Sequence, residues 1–387
     1  MSGKSDGPAG GPTGRGHAAA SRADVVIAGA SFAGLAAARA LDGRALLVDP
    51  VPVGEGQTSA CGAPVGVIES LGARGSIQQR HDELIFHLPG REVRWPLPEP
   101  FCTFDYRRCC LDALAGTGAG VLRASVLGRR GTTAVTSCGE IEGRMLIDAT
   151  GWRAALAEGG VDRSSAARPR ERGLSPKASP AGRKSRFLGF GLEAEVPSGF
   201  PPGLHFYFWP EIVRDGYAWA FPAGGATRIG LLSYRGRTTL HPGLNVFLER
   251  LGMPTGPLHG GFLRADLHPP VVDGVFVVGD AGGQCLPLTG EGIRTAVWAG
   301  QACGSLVRRV LDGDLRLEAA QARYTALVTR QRRRYRALLW ATLGVLVLPS
   351  YVLGALVSWA GRPGPLGPLM RHYLGIFSEH AAIETIG

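Results

Sequence analysis

Apolar runs that end in glycine turns occur at both ends of this chain. Asp24-Val-Val-Ile-Ala-Gly29 is followed by Ala-Ser31-Phe-Ala-Gly34-Leu-Ala-Ala-Ala. That pattern predicts a buried strand over 24–29, a tight turn, and a helix from Ser31 or Phe32 to about Leu41. Gly43 stops the helix, and Ala45-Leu-Leu-Val-Asp49 reads as a second strand. Far downstream, Val275-Phe-Val-Val-Gly279-Asp280-Ala-Gly282-Gly283 and Pro287-Leu-Thr-Gly290-Glu-Gly292-Ile293 repeat the order of strand, glycine turn and helix. Between them, alternation predicts strands within 84–96 joined at Pro89-Gly90, a helix from Tyr106 to Leu114, and a meander over 121–127, 133–137 and 141–150. A strand-rich block over 187–235 contains the alternating His205-Phe-Tyr-Phe-Trp209, and helices follow near 243–252, 291–311 and 316–336.

The spacing of the first turn suits a dinucleotide. Gly29 allows the tight turn, Gly34 allows helix and strand to touch, and Ser31 stands where a glycine would let backbone approach a pyrophosphate. The helix N-terminus offers amide donors and a positive dipole to that anion. Asp49, at the end of the second strand, is placed to accept ribose hydroxyls. In the second turn, Gly279-Asp280 would present a carboxylate to a ribityl chain. The helix opening at Gly290, Gly292 and Ile293, just after Pro287, would aim its dipole at the pyrimidine edge of a flavin, stabilising negative charge on the reduced ring. Two such turns in one chain point to a single extended cofactor, FAD. A second ordinary βαβ unit is the alternative for the later turn.

The expected fold class is therefore α/β. A FAD-binding Rossmann-like parallel sheet carries an inserted mixed or antiparallel β-sheet substrate domain and C-terminal helices. The corresponding segments are a disordered tail over 1–23, a first FAD-binding part over 24–155, a basic flexible insertion over 156–186 and a substrate sheet over 187–265. A second FAD-binding part over 266–336 and apolar helices over 337–387 complete the chain. The Gly/Ser/Pro-rich tail has no apolar core and does not read as a signal peptide.

The net charge of +10 comes almost wholly from arginine, because only Lys4, Lys177 and Lys184 are lysines. The arginines cluster at 163–186 and at Arg330, Arg332, Arg333, Arg334 and Arg336, with Tyr335 the one aromatic among them. That argues against nucleic acid and for anionic lipid headgroups. The cluster leads into 337–360, which carries no charged residue and is long enough to cross a bilayer, but Pro349 divides it. Three readings stand: a buried helix pair closing an apolar cavity, an interfacial pair beside the arginines, or a true span. The arginine flank favours a cytoplasmic protein held peripherally at the membrane surface. Seven cysteines at 61, 102, 109, 110, 138, 285 and 303 include no C-x-x-C pair, and no metal site is expected.

The chain resembles the geranylgeranyl reductase family, within the aromatic-hydroxylase-like flavoproteins, over about 24–310. Cys61-Gly62 looks like that family's Cys-Gly loop at the flavin, and Arg108-x-x-x-Asp112 resembles its cofactor-contacting helix start. Tyr217-Ala-Trp219-Ala-Phe221-Pro222 with Arg228-Ile-Gly230 resembles its Tyr-x-Trp-x-Phe-Pro block, and Gly279-Asp280 and 287–293 match its Gly-Asp and Pro-x-x-Gly-x-Gly-Ile segments. Ser31, the basic insertion, and Ala63-Pro64 after Cys61-Gly62 depart from the pattern.

The resemblance implies reduction of isoprenoid double bonds by reduced FAD on a lipid substrate, with NADPH or another reductant as transient electron donor. An unpolarised alkene that takes a hydride also needs a proton, for which Cys61, Tyr217 and bound water are candidates. Tyr217, Trp219 and Phe221 should share one face of a strand, as an aromatic wall or as ordinary sheet core. Cys61 is equally readable as an inert buried thiol. A flavin hydroxylase, a lycopene-cyclase-like redox-neutral enzyme and a non-catalytic flavin carrier use the same features. A flavin halogenase would need a lysine near the ring, and none lies between Lys4 and Lys177.

Overall fold

A computed structural model describes residues 21–159 and 187–378. The tail expected over 1–20, most of the basic insertion (160–186) and the last residues, 379–387, lie outside the described residues.

The chain starts with β1 (Ser21–Ala28), α1 (Phe32–Leu41) and β2 (Ala45–Asp49), then runs through β3 (Gly62–Pro64), α2 (Val65–Ser70), β4 (Ile77–Leu88), β5 (Arg91–Phe104) and α3 (Tyr106–Ala115). A meander of β6 (Gly120–Arg123), β7 (Val126–Arg130), β8 (Thr133–Thr136) and β9 (Gly139–Asp148) follows. Next come β10 (Leu188–Val196), β11 (Leu204–Tyr207), β12 (Gly216–Ala223), β13 (Ala226–Ser233), α4 (His241–Arg250) and β14 (Leu258–Arg264). The last part holds β15 (Val271–Val272), β16 (Val275–Val277), α5 (Ile293–Leu311), α6 (Leu317–Arg330), α7 (Arg332–Val347), α8 (Ser350–Ala360) and α9 (Pro363–Leu374).

These strands build two sheets. The first has the order β15-β16-β9-β1-β2-β6, with β7 and β8 joined to it beside β9. Its centre is parallel: β1 pairs with β2 and with β9, and β9 pairs with β16. Val25, Val26, Ile27 and Ala28 are fully buried, as a central parallel strand covered on both faces requires. The second sheet runs β14-β10-β13-β12-β11-β4-β5-β3, antiparallel except where β11 meets β4. The fold is thus the expected α/β arrangement of a parallel-centred sheet, a second mixed sheet and C-terminal helices.

Helix α5 lies across α1 at small residues. A side chain at Gly300 or Gly304 would strike the carbonyls of Ala33 or Ala37, so the two helices meet backbone to backbone. The N-termini of both helices are thereby fixed relative to each other, which positions the site.

Three expectations need correction. The first strand begins at Ser21, three residues before the predicted 24. Residues 62–104 join the second sheet through β3, β4 and β5, although sequence order assigned them to the first FAD-binding part. The helix expected over 316–336 breaks at Gln331, and α7 runs from the arginine cluster into the apolar stretch. That stretch is not one helix: Pro349 ends α7 and caps α8. Among the described residues no helix is long and apolar enough to cross a membrane. The hairpin of β4 and β5 holds α8 instead, through Trp95 Nε1–H to Val357 O at 3.1 Å and Arg91 to Ser358 Oγ at 3.0 Å.

Candidate active site

A cavity of about 1560 Å³ extends from the carboxyl ends of the first sheet, across the face of the second, to α7 and α8. Its first part is built by the N-terminal turn. Gly29 has φ +103°, and a Cβ there would run into Ala149 O at the end of β9. Gly34 is pressed onto Gly29 O in the same way. Ser31 precedes α1 without a side-chain cap bond; its hydroxyl lies 3.2 Å from the Tyr106 hydroxyl. The first turn of α1 therefore opens on the cavity with its amide donors. Asp49 lines the cavity at the end of β2, fixed by Ala30 N–H to Oδ2 at 2.9 Å and Val51 N–H to Oδ1 at 3.0 Å. Its other lone pairs remain available to ribose hydroxyls.

Arg108 does not join this group. Its side chain is 64% exposed and paired with Asp112 at 2.7 Å on the outer face of α3, while Tyr106 is the α3 residue that reaches the cavity.

The second turn closes the cavity from the other side. Gly279 adopts φ +64° and Asp280 lines the wall. Burial pushes the Asp280 carboxyl up to about 7, against the pull of the Arg264 backbone N–H and charge. In the segment after Pro287, Leu288 adopts φ +72°, unusual for a branched residue. Two hydroxyls hold that bend, Tyr234 donating to Leu288 O and Tyr217 to Thr289 O. Gly290 leaves room for the Tyr217 hydroxyl, and Gly292 precedes α5 with no side-chain cap, so Ile293 begins a helix whose N-terminus also faces the cavity. Beneath it a buried ion pair joins Arg294 to Glu291 at 2.8 Å.

The middle of the cavity is aromatic. Tyr217, Trp219 and Phe221 project from one face of β12, packed with Phe101 and flanked by Phe206 and Phe208. Tyr217 is not a free acid: its proton is held by the Thr289 carbonyl, and burial raises its pKa further. Trp219 Nε1–H donates to Glu193 Oε2 at 2.7 Å. Cys61, at φ +52°, turns away from the cavity. Its neighbours Ala60 and Gly62 line the wall, while its sulfur lies behind them, donating to Ser59 O at 3.4 Å. Burial keeps that thiol protonated, against the opposing Arg228 charge. Arg228, 2% exposed, ties the loop to the sheet by donating to Ala60 O at 3.4 Å, Glu195 at 3.0 Å, Phe104 O at 2.9 Å and Gln78 Oε1 at 3.0 Å.

Sequence reasoning missed Tyr106, Trp152, Glu193 and His259, all of which line the cavity. The signal for Glu193 is weak: β10 carries Glu193 and Glu195 on the face opposite Phe190, Leu192, Ala194 and Val196, so alternation alone does not mark the first as buried. His259 carries no mark of its own, since only its pairing with β10 brings it near.

The donors and shapes present fit FAD. Two glycine turns a Cβ would fill, a fixed carboxylate at a strand end, and two uncapped helix N-termini all border one cavity. The fold matches that of solved flavin-dependent enzymes along nearly its whole length. A geranylgeranyl bacteriochlorophyll reductase-like protein from Thermoplasma acidophilum superposes with a TM-score of 0.74 at 19% identity, covering 95% of this chain and 96% of that one. The flavin-dependent brominase Bmp2 superposes with a TM-score of 0.68 at 14% identity, covering 94% and 97%.

In sequence, the similarity is to digeranylgeranylglycerophospholipid reductases. Reductase 2 of Methanothermobacter thermautotrophicus is 32% identical over 121 residues, which is 29% of this chain and 31% of that protein. The reductase of Methanosphaerula palustris is 35% identical over 121 residues, 28% of this chain and 30% of that protein. The chain thus spans about a third of the length of the curated relatives it matches. No family model matches.

Proposed function

We propose that this chain is a FAD-dependent reductase of carbon–carbon double bonds in a prenyl lipid. The observation that carries the reading is the single unbroken cavity, in which a dinucleotide groove opens directly onto an aromatic and aliphatic chamber. The partial identity to enzymes named as prenyl-lipid reductases supports the substrate class.

FAD, when bound and reduced, supplies a hydride. The chain's own residues do the rest. The first turn of α1 would hold the pyrophosphate, Asp49 the ribose, Asp280 the ribityl hydroxyls and the N-terminus of α5 the pyrimidine edge. Tyr217 and Tyr234 fix the turn over 288–290 against this position. Trp219, Phe221 and Phe206 exclude water from an apolar chain and offer π faces to developing positive charge. NADPH or another reductant refreshes the cofactor by a transient encounter.

The substrate is drawn from a membrane surface. Val345, Leu348, Leu353 and Val357 of the α7–α8 region line the cavity, while Trp340, Val347, Tyr351 and Trp359 are exposed on its outer side. Arg332, Arg333 and Arg362 are exposed near the ends of the helix pair. Apolar rings beside cations suit the interface of an anionic bilayer. Together these features support peripheral docking with the cavity open toward the lipid.

The test is incubation of the flavin-loaded, chemically reduced protein with prenylated glycerolipid vesicles, followed by mass spectrometry of the lipid. Stepwise gain of two hydrogens per double bond is expected. Oxygen uptake with a hydroxylated product, or an isomer of unchanged mass, would contradict the reading.

A further inference from the structure

We propose that Glu193 is the acid that supplies the proton in double-bond reduction, and that His259 reloads it from solvent; this rests on the reductase reading above. Pairing across four strands carries the assignment. His259 of β14 stands opposite Glu193 of β10, Glu193 opposite Gly230 of β13, and Gly230 opposite Trp219 of β12. One cross-strand row therefore runs from the sheet edge to the aromatic wall. Glycine at 230 is what connects it, because a Cβ there would penetrate the Trp219 ring. The ring instead lies across the gap, and its indole N–H donates to Glu193 Oε2 at 2.7 Å.

That bond leaves the two oxygens of Glu193 unequal. Oε2 accepts from the indole, whereas Oε1 faces the His259 ring, with Nε2 2.8 Å away, in a residue only 2% exposed that lines the cavity. His259 Nε2 is thus within proton-transfer distance of Oε1. His259 is 22% exposed and also touches Gln57 Nε2 at 3.2 Å, so it borders both solvent and the acid. The other charged or titratable groups near Glu193 are Arg228 on β13, Cys61 before β3 and Glu195 on its own strand. Arg228 is already engaged by Glu195. The two earlier candidates have no proton to spare: Cys61 sits behind the wall, and Tyr217 is bound to Thr289 O.

The step balances. The double bond receives a hydride, two electrons and one proton, from reduced flavin at one carbon. Its π pair forms a C–H bond at the other carbon with the proton of the Glu193 carboxyl, and the O–H bond breaks to leave carboxylate. Protonated His259 returns a proton to Oε1 and regains one from water.

Glu193→Gln and His259→Asn in the flavin-loaded full chain test this. Glutamine still accepts from the indole, so a merely structural role survives the first change. The expectation for Glu193→Gln is native flavin content, native flavin reduction by the donor, and lipid saturation slowed about 10²–10⁴-fold. His259→Asn, on an edge strand, should slow saturation about 10-fold or more at neutral pH. A readout independent of turnover is the ¹⁵N–¹H indole signal of Trp219, assigned by its loss in Trp219→Phe. Its response to pH in the native protein should change in Glu193→Gln. Native-rate saturation by Glu193→Gln, or an indole titration unchanged in it, overturns the assignment alone; native-rate saturation by His259→Asn overturns the relay. A native protein that saturates no prenyl lipid overturns the reductase reading and the assignment with it.

Discussion

Trp219 lies flat across its sheet only because the facing residue, Gly230, has no side chain. In Gly230→Ala the added methyl must displace the ring, breaking the 2.7 Å bond to Glu193 and filling part of the chamber. Overpacking of this kind costs about 1–3 kcal/mol. Thermal melting should show the loss, and lipid saturation should fall more than flavin content. Asp280 makes a different prediction at the same scale. Its pKa in the folded chain without cofactor is raised to about 7 from an unfolded 3.8, so the folded state binds the proton more tightly. Stability from this group is complete below the unfolded value and is lost as pH rises through the window up to about 7. Asp280→Asn should therefore melt within a few degrees of the native chain near pH 4 and above it at neutral pH. The same variant should bind FAD more weakly at both. Equal melting of the two proteins across that window would remove the strain assigned to this carboxyl.

Among the elements, local pattern foretold those set by neighbours in sequence. The strand over 45–49, the helix from Phe32 to Leu41 and the turn at Pro89-Gly90 appear where the residues placed them. What local pattern did not disclose was partnership. Alternation in β4 and β5 is the same whichever sheet they join, and the choice is made by β11, which pairs with β4 over 100 residues further along the chain (Leu84 with Leu204). The row from His259 to Trp219 was hidden for the same reason, since register between distant strands decides who faces whom. Arg108 shows the converse limit: the motif was legible, but its side chain turns to solvent beside Asp112.

The helix pair after the arginine cluster was legible as apolar and broken at Pro349, and left three readings open. α7 and α8, of 16 and 11 residues, are roughly 24 Å and 17 Å long, each short of the about 30 Å hydrocarbon core. The exposed rings of Trp340 and Trp359, at 72% and 57%, argue for a surface role. Trp340→Ser with Trp359→Ser should weaken sedimentation with anionic vesicles roughly tenfold or more and leave melting unchanged. Undiminished binding by that double variant would contradict docking through these rings.

At the scale of the whole molecule, the two sheets do separate work and the cavity joins them. The parallel-centred sheet, with α1 and α5 locked together at Gly300 and Gly304, sets two helix N-termini on one groove. The second sheet supplies a flat aromatic face, and the C-terminal helices cover it with aliphatic side chains. At about 1560 Å³ the cavity exceeds the usual 300–1,000 Å³ of a single-ligand pocket, which suits a dinucleotide together with a lipid chain. The most direct measurement is the visible absorbance of the purified full chain, before and after addition of prenylated lipid. The account predicts one flavin per chain and flavin bands that shift when the lipid enters beside the ring. A colourless protein that gains no flavin bands on reconstitution with FAD would contradict it.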